Sequence, residues 1–191
     1  WEDPALRPDE IKIYPCQLLA NAELHDYWLR GEYTPYTTAQ LIELIADLKP
    51  GIPTYCRVNR VIRDIPSTNV VAGNKRTSLR LDAQAELSRR GQRCRCIRCR
   101  EVRGQTVDPE GLRLERLEFP AGAGEEHFLS FETGDDRLAG FLRMQLPGAA
   151  SPDLGLPDLQ GAALVREVHV YGQSLEVGAQ QPGAAQHAGL G

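Results

Sequence analysis

An α/β fold is what this sequence predicts, with a strand–helix–strand first half and an antiparallel second half. Three observations predict it. A short β-type run, Ile11 to Tyr14, is followed by two helical segments and then by a second apolar run over residues 54–62; that order makes a β/α unit with parallel strands. After residue 103 the pattern changes to apolar–polar alternation broken by turn residues, the mark of antiparallel strands. Between the halves, Cys94, Cys96 and Cys99 fall within six residues, each flanked by arginine.

The elements follow in order. Pro15 ends the first strand because it cannot donate to a ladder. Residues 22–30 place Leu24, Tyr27 and Trp28 at helical spacing, with Gly31 as a stop. Residues 33–36 read as a loop. Thr37 or Thr38 caps a second helix whose buried stripe is Leu41, Ile42, Leu44, Ile45 and Leu48. Residues 54–62 form the next strand. Gly73, Asn74 and Lys75 make a turn into a helix over residues 78–90, stopped by Gly91. In the second half, residues 112–119 predict a strand with one buried and one polar face, and residues 120–124 a flexible link. Residues 127–132 and 138–146 flank Thr-Gly-Asp-Asp as a hairpin. Residues 162–171 are the strongest strand, between loops over 147–161 and 172–185.

Hydrophobic content of 41% permits a sizeable core, and 191 residues permit one large or two small domains. The net charge of −4 conceals a split. Residues 49–103 hold 14 Lys and Arg against 4 Asp and Glu, so the remainder is strongly acidic. One basic face on an acidic body suits a polyanion, and a solvated helix face is the plainer alternative. No apolar run approaches the ~20 residues needed to span a bilayer, and the first residues lack the features of a signal peptide. No membrane association is expected. Five cysteines, an odd number with three of them clustered, point to a reducing, cytoplasmic setting. Both ends read as cut from a longer chain.

Three thiolates spaced C-x-C-x-x-C can converge on one ion in a tight turn. Zinc in a closed tetrahedral site is the leading reading; an iron–sulfur cluster and three unmetallated thiols are the alternatives. His25, His127, His169, His187, Cys16 and Cys56 all remain open as a fourth ligand. The tail Gln186, His187, Ala188, Gly189, Leu190 and Gly191 offers successive backbone N–H groups at a helix start, which suits pyrophosphate. Alone it is a weak motif, equally read as a disordered end. Glu167, His169 and Tyr171 could serve acid–base work, but alternate strand residues share a face and are better read as its polar side. Lys12 and Tyr14, near the C-terminal end of the first strand, occupy the position where β/α barrels place their sites, or are an edge lysine and a packing tyrosine.

Taken together, Lys12-Ile-Tyr-Pro, the run from Arg57 to Pro66, Gly73-Asn74, the cysteine segment, Phe128 to Glu132, Arg166 to Gly172 and Gln186 to Gly191 resemble the catalytic subunit of Elongator. The motifs match in order over nearly the whole chain, closest to the bacterial and archaeal type. That family joins a radical S-adenosylmethionine barrel to a GNAT-type acetyltransferase domain and carboxymethylates the wobble uridine, U34, of tRNA. The resemblance implies that residues 1–90 close the barrel, that residues 91–110 are a zinc-binding connector, and that residues 111–191 begin the acetyltransferase domain. It implies acetyl-CoA along Glu167, Val168, His169 and Val170, with Gln186, Gly189 and Gly191 on its pyrophosphate. It implies that Arg57, Arg60, Arg63, Lys75, Arg76, Arg95 and Arg98 hold the anticodon stem-loop. In that chemistry a 5′-deoxyadenosyl radical activates the acetyl group, whose carbon then adds to C5 of uridine. The family's three-cysteine motif for the 4Fe-4S cluster is absent from the sequence, so the chain alone is expected to be inactive. No catalytic residue is assigned, and a homodimer is a further expectation. A zinc-stabilised RNA-binding module and a protein lysine acetyltransferase are the rival readings.

Overall fold

The computed structural model describes residues 1–153, 155–172, 176 and 183–187. The chain divides into two compact units: Asp9–Arg98, and Trp1–Pro8 with Cys99–Gly191.

In the first unit, β1 (Glu10–Lys12) pairs in parallel with β3 (Arg57–Arg60). Between them lie α1 (Leu24–Leu29) and α2 (Thr38–Leu48), so the strand–helix–strand expectation holds. The β3 ladder is shorter than the sequence pattern suggested. Cys56 N–H turns back to the Pro53 carbonyl at 3.0 Å, which delays the strand's start. A second pair, β2 (Leu18–Leu19) with β4 (Val70–Ala72), is antiparallel. Strands of two or three residues leave no periodicity to read.

Helix α2 begins in a capping box. Thr37 Oγ1 accepts from the Gln40 N–H at 3.2 Å, and Gln40 Oε1 accepts from the Thr37 N–H at 2.9 Å. Its buried residues are Leu41, Ile45 and Ala46, whereas Leu44 and Leu48 are exposed. The expected five-residue stripe is therefore narrower: one partner helix covers only one side of α2. That partner is α3 (Leu79–Arg89), which buries Leu79, Ala83 and Leu87 at i, i+4, i+8 spacing. Gly91 ends it at φ +67°, as the stop reading expects.

Charge ties the two helices. Arg90 pairs with Asp47 (2.5 Å), Glu86 (2.6 Å) and Glu43, and Arg89 pairs with Glu86 (2.6 Å). Hydrogen bonds from Arg89 and then Arg90 hold the Glu86 carboxyl down at about 2. A depressed carboxylate contributes stability above its unfolded value, about 4.3, and loses it as pH falls through about 2. The stability difference between the protein and Glu86→Gln should therefore shrink as pH is lowered from about 5 to about 2, measured by denaturant unfolding. A difference that stays constant across that range would count against the network.

In the second unit, β5 (Arg113–Ala121), β6 (Gly124–Glu132), β7 (Leu138–Pro147) and β8 (Leu164–Val170) form one antiparallel sheet in sequence order. Residues 120–124 are no flexible link: Ala121 pairs with Gly124, and Gly122 turns at φ +57°. Strand β5 is exposed along most of its length, Leu114 and Leu117 included, because it is an edge strand. Its alternation promised one buried face that is not there.

One sheet face buries charge. Glu126, Ser130, Glu132 and Arg143 are buried, each with a partner. Glu126 binds Arg166 through two contacts of 3.0 Å. Arg143 Nε donates to Glu167 at 2.9 Å, and its guanidinium lies over Phe128 and Phe141. Ser130 Oγ donates to Glu132 at 2.8 Å. Such pairing lets polar residues occupy an inward face at tolerable cost.

Candidate metal centre and nucleic-acid interface

The cysteine segment is a turn running into a one-turn helix, α4 (Ile97–Arg100). Ile97 is fully buried, and its N–H donates to the Cys56 carbonyl at 3.0 Å. This fixes the turn on the strand side of the first unit. Cys94 and Cys96 are buried and Cys99 is half-buried. Their sulfurs all lie within 4.8 Å of one another. Thiolates on one tetrahedral zinc stand roughly 3.8 Å apart, from Zn–S bonds of about 2.3 Å. Three sulfurs already gathered, two of them out of solvent, fit a metal. Among the described residues no further His, Cys, Asp or Glu ligand atom joins the group. Cys16, Cys56, His25, His127 and His169 therefore stay outside it, and His187 lies where side chains are not described.

A second group, Glu118, Glu125 and His127, lies on the β5–β6 hairpin. Both imidazole nitrogens face carboxylates, Nδ1 at 3.3 Å from Glu118 and Nε2 at 2.7 Å from Glu125. Those contacts account for the cluster: Glu118 meets the imidazole from across the strand pair, and Glu125 from two residues along the same strand.

The arginines divide. Arg100 is buried and pairs with Glu132 at 2.7 Å and Asp136 at 3.5 Å, so one of the cysteine-flanking cations serves the protein's interior. Arg93 and Arg95 are exposed and Arg98 is half-buried. Arg57 is half-buried; Arg60, Arg63, Lys75 and Arg76 are exposed. Arg60 pairs with Asp64 and Arg76 with Asp82. Lys49 is buried, and Arg80 donates to the carbonyls of Val58 and Asn59. The local excess of positive charge is thus partly spent inside the fold. What faces solvent clusters after β3, in the Gly73 turn and around the cysteines.

Strand β8 lies at the sheet's other edge. Val168 is 56% exposed. Glu167 is held by Arg143, while His169 stacks at 11° on Phe141 and sits 4.4 Å from Tyr171. Glu167 is thus engaged by an arginine, and His169 by the rings of Phe141 and Tyr171. Just past β8, Gly172 lies against Gln186: a Cβ there would meet the Gln186 side chain at 3.4 Å. Gln186 is exposed in a short 3-10 turn, Ala185–His187. Gly189 and Gly191 lie outside the described residues. Edge strand and Gln186 are thus brought together.

Along the chain a β/α segment is thus followed by a cysteine cluster and a four-stranded antiparallel sheet. Residues 8–89 match the Radical_SAM C-terminal domain family. All of the chain aligns at 45% identity with a tRNA uridine(34) acetyltransferase of Dehalococcoides mccartyi (strain CBDB1), covering 42% of that protein. It aligns at 38% identity with Elongator complex protein 3 of Drosophila melanogaster, covering 35% of it. The structure matches the archaeal Methanocaldococcus infernus Elp3 with a TM-score of 0.78 and 39% identity, over 89% of this chain and 41% of that one. The whole chain is thus similar to part of the tRNA uridine(34) acetyltransferases and of Elongator complex protein 3. It spans about two fifths or less of the length of these relatives. No helix among the described residues is long and apolar enough to cross a membrane.

Proposed function

We propose that this chain is part of a tRNA-modifying enzyme that acts on the wobble uridine and draws its carbon from acetyl-CoA. The observation that carries this reading is the alignment of the whole chain, at 45% identity, with 42% of a protein named for tRNA uridine(34) acetylation. The chain's own residues then take distinct tasks. Cys94, Cys96 and Cys99 would hold zinc and fix the turn that presents Arg95 and Arg98. Arg57, Arg60, Arg63, Lys75 and Arg76 would contact phosphates of the anticodon stem-loop, which position the RNA without reading its sequence. The exposed edge of β8, from Glu167 to Val170, would offer backbone groups to the pantetheine arm, and Gln186 would stand beside the pyrophosphate. When bound, acetyl-CoA supplies the acetyl group and radical S-adenosylmethionine chemistry activates it. The 4Fe-4S ligands are not among this chain's cysteines, which stand only at 16, 56, 94, 96 and 99. A cytoplasmic setting agrees with five free cysteines.

A purely RNA-binding module and a protein lysine acetyltransferase are the other readings of the same parts. A peptide substrate gives no reason for cations gathered after β3 and in the Gly73 turn, whereas phosphates do. The test is tRNA binding by the protein and by an Arg57→Glu/Arg63→Glu variant over a salt series. Affinity should drop at least ten-fold, and the slope of log K against log salt should fall by about one for each phosphate that is no longer neutralised. Unchanged affinity and slope would overturn the polyanion face.

A further inference from the structure

Aromatic residues are only 6% of the chain, yet five of the twelve, Tyr14, Tyr27, Trp28, Tyr33 and Tyr36, fall within residues 14–36. The protein does not bury them as core. Tyr36 is 57% exposed and Tyr14 44% exposed. Tyr33 is half-buried, with the side chains of Cys16 and Tyr36 nearby.

These tyrosines are not what holds their loops together. That is done by Asn74, which is 1% exposed. Its Oδ1 accepts from Thr38 Oγ1 at 2.9 Å, its Nδ2 donates to the Arg76 carbonyl at 3.0 Å, and its own carbonyl accepts from Gln17 Nε2 at 2.9 Å. Gly73, at φ +98°, brings this knot against the Cys16 carbonyl: a Cβ would lie 3.1 Å from that oxygen and 3.5 Å from Pro35 Cβ. The loops carrying Cys16, Tyr33 and Tyr36 are thereby pinned beside Lys75 and Arg76, both exposed. One exposed and one half-buried phenol ring next to cations supply the two components of a surface for single-stranded nucleic acid: rings for base faces, cations for the backbone.

We infer that Tyr33 and Tyr36, flanked by Lys75 and Arg76, form a stacking ledge for unpaired bases of an RNA loop. This rests on the RNA-substrate reading above and adds to it which part of the RNA meets which residues. A paired duplex keeps its base faces covered and gains nothing from the ledge. The neighbouring Cys16 side chain and burial push the Tyr33 phenol up to about 12.

The experiment compares binding of two RNAs to the protein: a hairpin with an unpaired loop and a blunt duplex of equal length. Tyr36→Leu keeps an apolar side chain at a position exposed enough not to affect folding. It should weaken hairpin binding about ten-fold, as expected for the removal of one base stack, with duplex binding and the salt slope unchanged. Tyr36→Phe should restore hairpin binding. Tyr33→Leu, checked by thermal melting, should act in the same direction. Equal losses for both RNAs, or no loss for the hairpin with Tyr36→Leu, would overturn the ledge. If Arg57→Glu/Arg63→Glu still weakens binding in that case, the phosphate-binding reading stands without it. If the unsubstituted protein binds neither RNA, both readings fall.

Discussion

Cys96→Ser is expected to empty the proposed zinc site and unfold the turn around it. Cys96 is fully buried, and its sulfur lies within 4.8 Å of both other thiols. A serine hydroxyl is a poor zinc ligand at neutral pH, and two remaining thiolates cannot close a tetrahedral site. Structural zinc contributes on the order of 10 kcal/mol to small metal-folded segments, so on the proposed zinc reading its loss would remove most of what orders this turn. Elemental analysis should fall from about one metal ion per chain to near none. Hydrogen exchange should speed up at Ile97, whose N–H is held by the Cys56 carbonyl. Full metal content and unchanged protection in the variant would remove Cys96 from the ligand set. Metal removal by a chelator should reproduce the same exchange pattern in the unsubstituted protein.

Arg100→Ala should be the most destabilising single change away from the cysteines. Its guanidinium is 3% exposed and meets Glu132 at 2.7 Å and Asp136 at 3.5 Å. Glu132 is itself buried and already accepts from Ser130. Truncating Arg100 strands a buried carboxylate, which costs about 3–5 kcal/mol. Urea unfolding of the variant should show a loss of that size. Adding Glu132→Gln should recover part of it, because the stranded group is then neutral. A loss below about 1 kcal/mol would mean that the pair behaves as a surface ion pair.

Arg100 also shows where sequence reading reached its limit. It flanks Cys99 as Arg95 and Arg98 do, and nothing in the local pattern separates it from them. Only the placement of Glu132 and Asp136, more than thirty residues away, turns it inward. The same holds for Glu126 and Arg143, which a period-of-two reading assigns to a polar face. Their partners, Arg166 and Glu167, come from another strand and make burial tolerable. Features written locally were legible: the threonine cap at Thr37, the Gly91 stop, the Thr-Gly-Asp-Asp hairpin and the cysteine spacing. Strands β2 and β4 were too short to carry a period. The Gly122 turn was mistaken for a flexible link because Pro120, a ladder breaker, sits within an edge strand that tolerates it. The tyrosines of residues 33–36 read simply as loop. The signal was in the composition: so few aromatics in the chain, and so many of them in one exposed stretch.

The central claim is that this chain serves modification of the tRNA wobble uridine. Its most direct test is mass spectrometry of nucleosides from wobble-position uridine in tRNA from cells carrying the intact gene, a deletion, or the Cys96→Ser allele. The account predicts that carboxymethyl-derived uridine disappears on deletion and is strongly reduced by Cys96→Ser, while other tRNA modifications persist. Wobble-uridine carboxymethylation undiminished by the deletion would contradict it.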